Sequence, residues 1–322
     1  MRIAIVGCGL IGAKRAATVE PHEIVVVCDS QRDRAEKLAR HTGARAVNDW
    51  RRAVEADVDA VIVATTHDWL APVALAAIEA GRHVLVEKPA GRNIGEVGSL
   101  VEAAAARKSV VKVGFNHRFH PAVQRAHDLV EKGELGRLLF IRGRYGHGGR
   151  PGYEKEWRCQ PQVSGGGELL DQGSHLIDLS RWFLGELSLA FCATPTYFWN
   201  TPVEDNCFLA LRGGDGKMAW LHASWTEWKN MFSFEIAGRN GKLAIEGLGG
   251  SYGTERLTWH RMRPEMGPPD TTTWEFPQHD SSWRAEFVDF AEAVATGRRP
   301  CGDVKDAHAN LQIIAQAYQM RS

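Results

Sequence analysis

The sequence has no long apolar run, no clustered cysteines and no block of like charges. No segment approaches the roughly 20 apolar residues that span a bilayer, so we expect no membrane association. Its 39 basic and 39 acidic residues cancel, and no charge run predicts a nucleic-acid partner. The six cysteines form no C-x-x-C pair, which argues against a metal site and a redox motif. Scattered cysteines fit a reduced, cytoplasmic protein.

A glycine-rich turn follows the first apolar run of the chain. Lys14 and Arg15 interrupt that run too early for a signal peptide. The G-x-G-x-x-G spacing lets the backbone turn sharply and approach a pyrophosphate, which then lies at a helix N-terminus. Glycines at this spacing also occur in ordinary turns, but here a strand precedes them and a helix follows. The predicted dinucleotide contacts in this turn are Gly7, Gly9, Leu10, Ile11 and Gly12.

An acidic residue ends the second apolar run, residues 24–28. Asp29 follows Gly12 by 17 positions, where a carboxylate bonds the ribose 2′-hydroxyl of NAD. The same carboxylate repels the 2′-phosphate of NADP, although Arg32 could soften that preference. The sequence therefore predicts NAD as the cofactor, with NADP less favoured.

Strands and helices alternate through the first third of the chain. Apolar runs bounded by glycines predict a doubly wound parallel sheet in an NAD(P)-binding domain of residues 1–117. The expected strands beyond the first two cover residues 45–47, 60–65, 83–87 and 110–114, and the expected helices cover residues 32–41, 71–80 and 94–107.

The remainder, residues 118–322, changes to clustered strands, which predict an α+β domain with an open, mainly antiparallel sheet. A long helix over residues 167–184 interrupts the strands, and two helices, residues 283–296 and 304–320, end the chain. Nine of eleven tryptophans lie at or after Trp157. We expect the outer face of strands 218–228 and 232–237 to form a homodimer or homotetramer interface.

Glu87-Lys88-Pro89 lies at the carboxyl end of the fifth predicted strand, where ligands of open α/β sheets bind. Lys88 is therefore a candidate to donate to a substrate oxygen beside the nicotinamide. A lone lysine is more often a solvated surface charge, but the position between an acid and a proline favours function. Pro89 fixes the backbone there, and its peptide bond is a candidate for the cis form.

Three polar residues share one face of the predicted helix over residues 167–184. Asp171, His175 and Asp178 are spaced i, i+4 and i+7. A histidine can take up a hydroxyl proton, and an adjacent carboxylate can orient it. Zinc is a competing interpretation, but no third nitrogen or sulfur ligand follows at motif spacing. A surface Asp–His pair is the other alternative; the preceding glycines 165–167 instead indicate close approach to another surface or a ligand.

These motifs together resemble the glucose–fructose oxidoreductase / inositol dehydrogenase family, written Gfo/Idh/MocA. The resemblance covers essentially the whole chain and implies hydride transfer between NAD(P) and a hydroxyl or carbonyl carbon of a sugar, sugar nucleotide or cyclitol. It also implies that Lys88, Asp171 and His175 line the reacting carbon, with the histidine as proton acceptor. We expect Glu87 to contribute to the cofactor site.

One segment departs from the family pattern. Relatives commonly carry T-P-N-x-x-H after the fourth strand, whereas this chain has Thr65-Thr66-His67-Asp68-Trp69-Leu70. The turn around the cofactor therefore differs here. Thr65, Thr66 and His67 are candidate cofactor neighbours.

The candidate substrate contacts follow the sixth predicted strand. Asn116 is expected to contact the cofactor and Arg118 the substrate. Tyr145, Trp157 and Arg158, together with Arg150, flank a glycine-rich loop that could close over a ligand. Arginines there could bind an oxyanion bidentately or lie in solvent.

Two other functions remain open at this point. One is an NAD-retaining enzyme that cleaves a glycosidic bond through transient oxidation, and net NADH production would separate it from a dehydrogenase. The other is a non-catalytic dinucleotide-sensing regulator, which the joint presence of Lys88, Asp171 and His175 disfavours.

Overall fold

The computed structural model describes residues 1–265 and 267–320, which form two compact units. The first, here called the parallel-sheet unit, contains residues 1–115, 162–165 and 283–311. The second, the mixed-sheet unit, contains the described residues of 116–161, 166–282 and 312–320. The first segment of the parallel-sheet unit ends two residues before the predicted boundary at residue 117, and residues 283–311 also belong to that unit. The C-terminal helix over residues 283–296 packs with the N-terminal sheet.

The parallel-sheet unit is built on six parallel strands in the order β3-β2-β1-β4-β5-β6. The central strand β1 (Arg2–Val6) pairs with β2 on one side and β4 on the other. Strand β4 is buried along its whole length, as its continuous apolar sequence predicts. The other strands are β2 (Glu23–Cys28), β3 (Arg45–Val47), β4 (Ala60–Val63), β5 (His83–Val86) and β6 (Val111–Val113).

Helices connect these strands, as expected of a doubly wound sheet. Gly43, in the left-handed conformation, ends α2, and the Asn93 side chain caps α5 by accepting from the Glu96 N–H. Helix α4 begins at His67, four residues before its predicted start, and α3 was not predicted because it is only five residues long. The bounds are α1 (Leu10–Ala16), α2 (Arg32–Thr42), α3 (Trp50–Val54), α4 (His67–Glu79), α5 (Ile94–Arg107) and α9 (Ser282–Thr296).

Buried ion pairs join α9 to the sheet of its unit. The fully buried Arg15 guanidinium contacts Glu87 at 2.7 Å and Glu286 of α9 at 2.6 Å. Lys112 of β6 contacts Asp289 at 2.8 Å. Burial raises the pKa of Glu286, while Arg15 and Lys112 act to lower it. An unpaired charge in a protein interior lowers the free energy of unfolding. These ion pairs therefore fix the position of α9 against the sheet.

The mixed-sheet unit contains eight strands in the order β14-β13-β12-β11-β7-β10-β9-β8. Only the β7–β10 pairing is parallel, so the predicted open, mainly antiparallel sheet is confirmed. The strands are β7 (Leu138–Gly146), β8 (Leu187–Ala193), β9 (Asn206–Gly213), β10 (Met218–Ser224), β11 (Met231–Gly238), β12 (Gly241–Glu246), β13 (Glu255–Arg261) and β14 (Asp270–Phe276).

The two faces of this sheet differ in polarity. Phe232 and Phe234 of β11 are buried, so they do not contribute to the predicted interface on the outer face. On that face Trp220 of β10 is 53% exposed, and its ring is parallel to that of Phe191 on β8, at 6.2 Å. Farther along the same face, Glu235 bonds Arg142 and Lys242.

Helices α6 and α8 of the mixed-sheet unit pack against its sheet. The predicted helix over residues 167–184 is two pieces: a π-helical turn, Leu169–Gly173, followed directly by α8 (Ser174–Leu184). The other α-helices are α6 (Pro121–Glu131), α7 (Pro161–Ser164) and α10 (Val304–Gln319). Residues 162–164 of α7 and 304–311 of α10 belong to the parallel-sheet unit. Among all described residues, no helix is both long and apolar enough to cross a membrane.

Candidate active site

The glycine turn between β1 and α1 has the geometry that a pyrophosphate needs. Gly7 is left-handed, with φ of +97°. A Cβ on Gly12 would lie 1.8 Å from the Gly7 carbonyl oxygen, whereas one on Gly9 would meet nothing within 4 Å. Leu10, the first residue of α1, is 75% exposed beside this open space. The turn therefore leaves room above Gly9 and the helix N-terminus, and close packing fixes Gly7 and Gly12.

Asp29 directly follows β2, at the same edge of the sheet as the glycine turn. One of its carboxylate oxygens accepts from the Cys8 N–H at 2.8 Å and the other from the Gln31 N–H at 2.8 Å. These bonds fix the carboxylate against the glycine turn, where the sequence predicts the ribose contact. Burial and Asp29 raise the pKa of Cys8 to about 12, so this thiol behaves as a small apolar side chain. Arg32 is exposed and pairs with Glu36.

The Glu87-Lys88-Pro89 segment follows β5. The Lys88–Pro89 peptide bond is cis, and Ala90 has a φ of +72°. The Glu87 carboxylate accepts from Nε of Arg15 at 2.7 Å. This bond supports the backbone immediately before the half-buried Lys88. Glu87 therefore has a structural partner, and its predicted cofactor contact stays a prediction.

The segment that departs from the family pattern forms the start of α4. Thr66 precedes the helix, and its hydroxyl donates to the Asp68 carboxylate at 2.6 Å. The Thr65 hydroxyl donates to the Thr66 carbonyl oxygen. His67 is buried, with Nδ1 2.8 Å from the Ser164 carbonyl oxygen. These contacts stabilise the turn, and the cofactor contacts predicted for Thr65, Thr66 and His67 remain predictions.

In the mixed-sheet unit, the glycines before the π-helical turn pack against protein. A Cβ on Gly166 would lie 2.1 Å from the Tyr318 hydroxyl, and one on Gly167 would lie 2.1 Å from the Glu204 carbonyl oxygen. The Glu204 carboxylate accepts from the Gly167 N–H and the Tyr318 hydroxyl. Close approach to another surface thus explains the glycine run, with no ligand needed.

Asp171 lies in the π-helical turn, whereas His175 and Asp178 lie in α8. Asp171 contacts Nε of Arg158 at 3.3 Å, and Asp178 forms a two-bond ion pair with Arg118 at 2.6 and 2.8 Å. The local geometry at Asp171 is therefore π-helical rather than the α-helical geometry assumed from sequence, and such turns are frequent at functional sites. The shared face of Asp171 and His175 stays a prediction.

His175 lies in a cluster of aromatic side chains. Its ring stacks on that of His117 with centroids 3.7 Å apart, and Tyr145 approaches edge-on at 6.1 Å. Tyr145 in turn contacts His117 and Tyr252, both at 5.1 Å between centroids. A buried histidine among aromatic rings is shielded from water, which strengthens any charge interaction it makes.

Tyr145 and Tyr252 keep their protons in this cluster. Burial raises the pKa of Tyr145 well above its ordinary value, and Tyr252, Asp171 and Glu168 raise it further. The Tyr252 hydroxyl also accepts from the Gln172 side chain at 3.3 Å. Sequence reasoning missed Tyr252 and Gln172, because a lone tyrosine in a glycine-rich loop and a helix glutamine carry no pattern. His117 could have been found, since it adjoins the predicted Asn116 and Arg118.

Asn116 and Arg118 belong to the mixed-sheet unit. The Asn116 side chain donates to the Ser282 hydroxyl at 3.0 Å. Arg118 is buried against Asp178, so it has a structural partner. The cofactor contact expected of Asn116 and the substrate contact expected of Arg118 therefore stay predictions.

The loop after β7 carries the remaining predicted substrate contacts. Arg158 stacks on the Trp157 ring at 4.5 Å while bonding Asp171, so the guanidinium is held in one orientation. Arg150 is mostly exposed and pairs with Glu156. Tyr153 anchors this loop in a buried cluster with Cys159, Val203 and Trp225. Of the two arginines, Arg158 is the one fixed near the π-helical turn.

Comparison with known proteins matches both units to one family. The oxidoreductase family model with an NAD-binding Rossmann fold matches residues 1–115. The GFO/IDH/MocA C-terminal domain model matches residues 123–244.

Levoglucosan dehydrogenase of Pseudarthrobacter phenanthrenivorans is 33% identical over 198 residues, which cover 59% of this chain and 51% of that protein. The chain thus spans about half the length of that relative. The 1,5-anhydro-D-fructose reductase of Ensifer adhaerens is 31% identical over 240 residues, 73% of this chain and 70% of that protein. A solved levoglucosan dehydrogenase with NADH and L-sorbose has a TM-score of 0.88 at 24% identity, covering 99% of this chain and 97% of that one, which shows a shared fold. The chain belongs to the GFO/IDH/MocA family of oxidoreductases.

Proposed function

We propose that this protein is an NAD-dependent dehydrogenase that transfers hydride between the nicotinamide and a hydroxyl or carbonyl carbon of a sugar, sugar nucleotide or cyclitol. The observation that carries the proposal is the buried His175, placed directly after a π-helical turn and among aromatic rings. The same chain supplies a glycine turn whose open space suits a dinucleotide. A buried histidine can accept a substrate proton, and a nicotinamide dinucleotide bound by this fold can exchange a hydride with the substrate.

The residues of the glycine turn fit NAD. The open space at Gly9 and the fixed carboxylate of Asp29 support their proposed contacts with the pyrophosphate and the ribose 2′-hydroxyl. When bound, NAD would supply the hydride acceptor. Leu10 and Ile11, at the N-terminus of α1, would help to hold the pyrophosphate.

The roles in the reaction follow from side-chain chemistry. We expect His175 to accept the hydroxyl proton, and the ammonium of Lys88 to stabilise negative charge on a substrate oxygen. Asp171 pairs with Arg158, and its proposed role is to orient His175. Tyr145 stays protonated, so it acts as a hydrogen-bond donor and leaves the base role to His175.

Replacing His175 tests the proposal. In His175→Ala, turnover should fall by roughly 10²- to 10⁴-fold, the usual range for a general base, while NAD affinity stays nearly unchanged. His127→Ala is the matched control, since His127 also stacks on an aromatic ring in this unit. If His175→Ala keeps turnover within about threefold of wild type, only about 0.7 kcal/mol is left for the histidine and the assignment fails.

The substrate class is tested with a panel of ligands. Relatives named for levoglucosan and 1,5-anhydro-D-fructose support a cyclic polyhydroxylated substrate. Thermal unfolding with NAD and each sugar, sugar nucleotide or cyclitol should reveal the substrate by a raised midpoint. Stoichiometric NADH formation on that ligand supports a dehydrogenase. Product formation without net NADH would instead indicate an NAD-retaining cleavage, and binding without any product would indicate a sensor.

Cofactor choice depends on Asp29. We expect the wild type to bind NAD more tightly than NADP, because the fixed carboxylate repels a 2′-phosphate. Asp29→Ala should narrow that difference, as measured by titrating both cofactors. Equal or tighter NADP binding by the wild type would contradict this preference.

We also propose a homodimer or homotetramer that covers the outer face of the mixed sheet. Exposed aromatic side chains there, Trp220 and Phe191 among them, suit an interface with a second copy. Light scattering should give a dimer or tetramer at micromolar concentration, and Trp220→Arg should shift it toward monomer. A wild-type monomer would refute the interface.

A further inference from the structure

Two buried histidine rings lie face to face in the mixed-sheet unit. His117 is on the 3₁₀ turn Asn116–Phe119, and His175 is in the first turn of α8. Their ring centroids are 3.7 Å apart, the planes are 26° from parallel, and each side chain is 5% exposed. Two positive rings at this distance repel strongly where water does not screen them. A proton on one ring therefore makes protonation of the other less favourable, so the two rings titrate as a coupled pair.

A chain of hydrogen bonds places an acceptor beside Nδ1 of His117. The Ser282 hydroxyl donates to the Asp280 carboxylate at 2.6 Å, so its oxygen accepts from the Asn116 amide nitrogen at 3.0 Å. That orientation turns the Asn116 amide oxygen toward Nδ1 of His117, at 3.2 Å. An acceptor at Nδ1, backed by a carboxylate, stabilises a protonated His117.

Other charged groups surround the pair. The 3₁₀ turn, the π-helical turn, β7 and β10 all contact α8. Asp171 is paired with Arg158, and Asp178 with Arg118. His120 lies edge-on to His117 and bonds Glu255. Glu168 lies at the start of the π-helical turn, Tyr145 lies edge-on to both rings, and Tyr252 contacts Tyr145. Arg142, Arg144 and His222 are on the more exposed side of β7 and β10.

We propose that His117 is a positioning residue that takes up the first proton of the pair, so that His175 stays neutral and ready to accept a substrate proton. The proton pairing follows from geometry alone. Its catalytic meaning rests on the proposed function of His175. In this arrangement His117 sets the acid limit of activity without touching the substrate.

Nuclear magnetic resonance titration of the imidazoles in the full chain tests the pairing without any substrate. His117→Phe keeps a stacked, neutral ring and removes the proton site. The pKa of His175 should then rise by about one pH unit or more, the scale that defines coupled sites. Asn116→Leu, which keeps both rings, should raise it in the same direction by less. His127→Phe, on a ring stacked with Trp182 at 3.9 Å, should leave it unchanged.

Activity measurements then separate the two proposals. If His175 is the base, the acid limb of kcat/KM should move upward in His117→Phe by the same amount as the pKa. If the pKa moves and the limb does not, the pairing is supported and the base role of His175 fails. An unchanged or lowered His175 pKa in both His117→Phe and Asn116→Leu would overturn the pairing.

Discussion

The parallel-sheet unit and the mixed-sheet unit present functional groups of different kinds. In the parallel-sheet unit the candidate ligand site is mainly backbone: a left-handed Gly7, open space at Gly9 and a carbonyl oxygen pressed against Gly12. In the mixed-sheet unit it consists of side chains drawn from distant segments, with His117 stacked on His175. The first site depends on small residues being present, and the second on charged and aromatic residues being correctly held.

This difference predicts where each unit is sensitive. A backbone site tolerates exchange of the side chains between its glycines but no added Cβ where backbone packs. A side-chain site depends on the buried charges that hold it, because breaking a buried pair leaves one charge uncompensated. Three substitutions test these expectations, in order of decreasing effect.

The largest effect is expected in the mixed-sheet unit, at the buried pair Arg118–Asp178. Asp178→Asn leaves the buried guanidinium without its charge partner, and the free energy of unfolding should fall by about 3–5 kcal/mol. Glu186→Gln is the matched control, since Glu186 forms a two-bond pair with Arg181 in which the glutamate side chain is 87% exposed. That change should cost less than about 1 kcal/mol. Chemical denaturation measures both, and equal losses would contradict the dependence on burial.

An intermediate effect is expected in the glycine turn. Gly12→Ala forces a Cβ against the Gly7 carbonyl oxygen, so the free energy of unfolding should fall by about 1–3 kcal/mol. Gly9→Ala meets no atom within 4 Å and should leave stability unchanged while weakening NAD binding. Thermal unfolding without cofactor, followed by NAD titration, separates the two. If Gly9→Ala lowered the stability, other atoms of the protein would have to occupy the space beside Gly9 in solution.

The smallest effect is expected at Asp205, which holds the loop before β9. Burial would raise its pKa, but hydrogen bonds from Asn206 and the N–H groups of Tyr197, Phe198 and Trp199 lower it. Because the pKa of Asp205 is lower in the folded than in the unfolded protein, its carboxylate stabilises the fold at pH values above the unfolded-state pKa of about 3.9. This stabilisation is lost as the pH falls through the folded-state pKa.

Asp205→Asn should therefore lower the free energy of unfolding by about 0.5–1.5 kcal/mol at pH 7 and flatten its acid dependence. Denaturation at several pH values measures this. An unchanged acid dependence would exclude Asp205 as its source.

Most of the fold could be predicted from local sequence patterns. The glycine turn, Asp29 and the cis proline site are contiguous motifs, and alternating apolar runs predicted both sheets. The π-helical turn was not predicted, because the apolar spacing of residues 167–184 fits an ordinary α-helix equally well. Tyr252 and the stack of His117 on His175 depend on how segments far apart in sequence meet, which no local pattern encodes.

The ion pairs of α9 also bear on the order of folding during synthesis. Glu286 follows its partner Arg15 by 271 positions, and Asp289 follows Lys112 by 177. Domains ordinarily fold from the N-terminus as the ribosome releases them. Here a growing chain of about 117 residues carries Lys112 without Asp289 and Arg15 with only one of its two carboxylates. The ion pairs of the N-terminal segment with Glu286 and Asp289 can therefore form only after α9, the second-last α-helix among the described residues, has been synthesised.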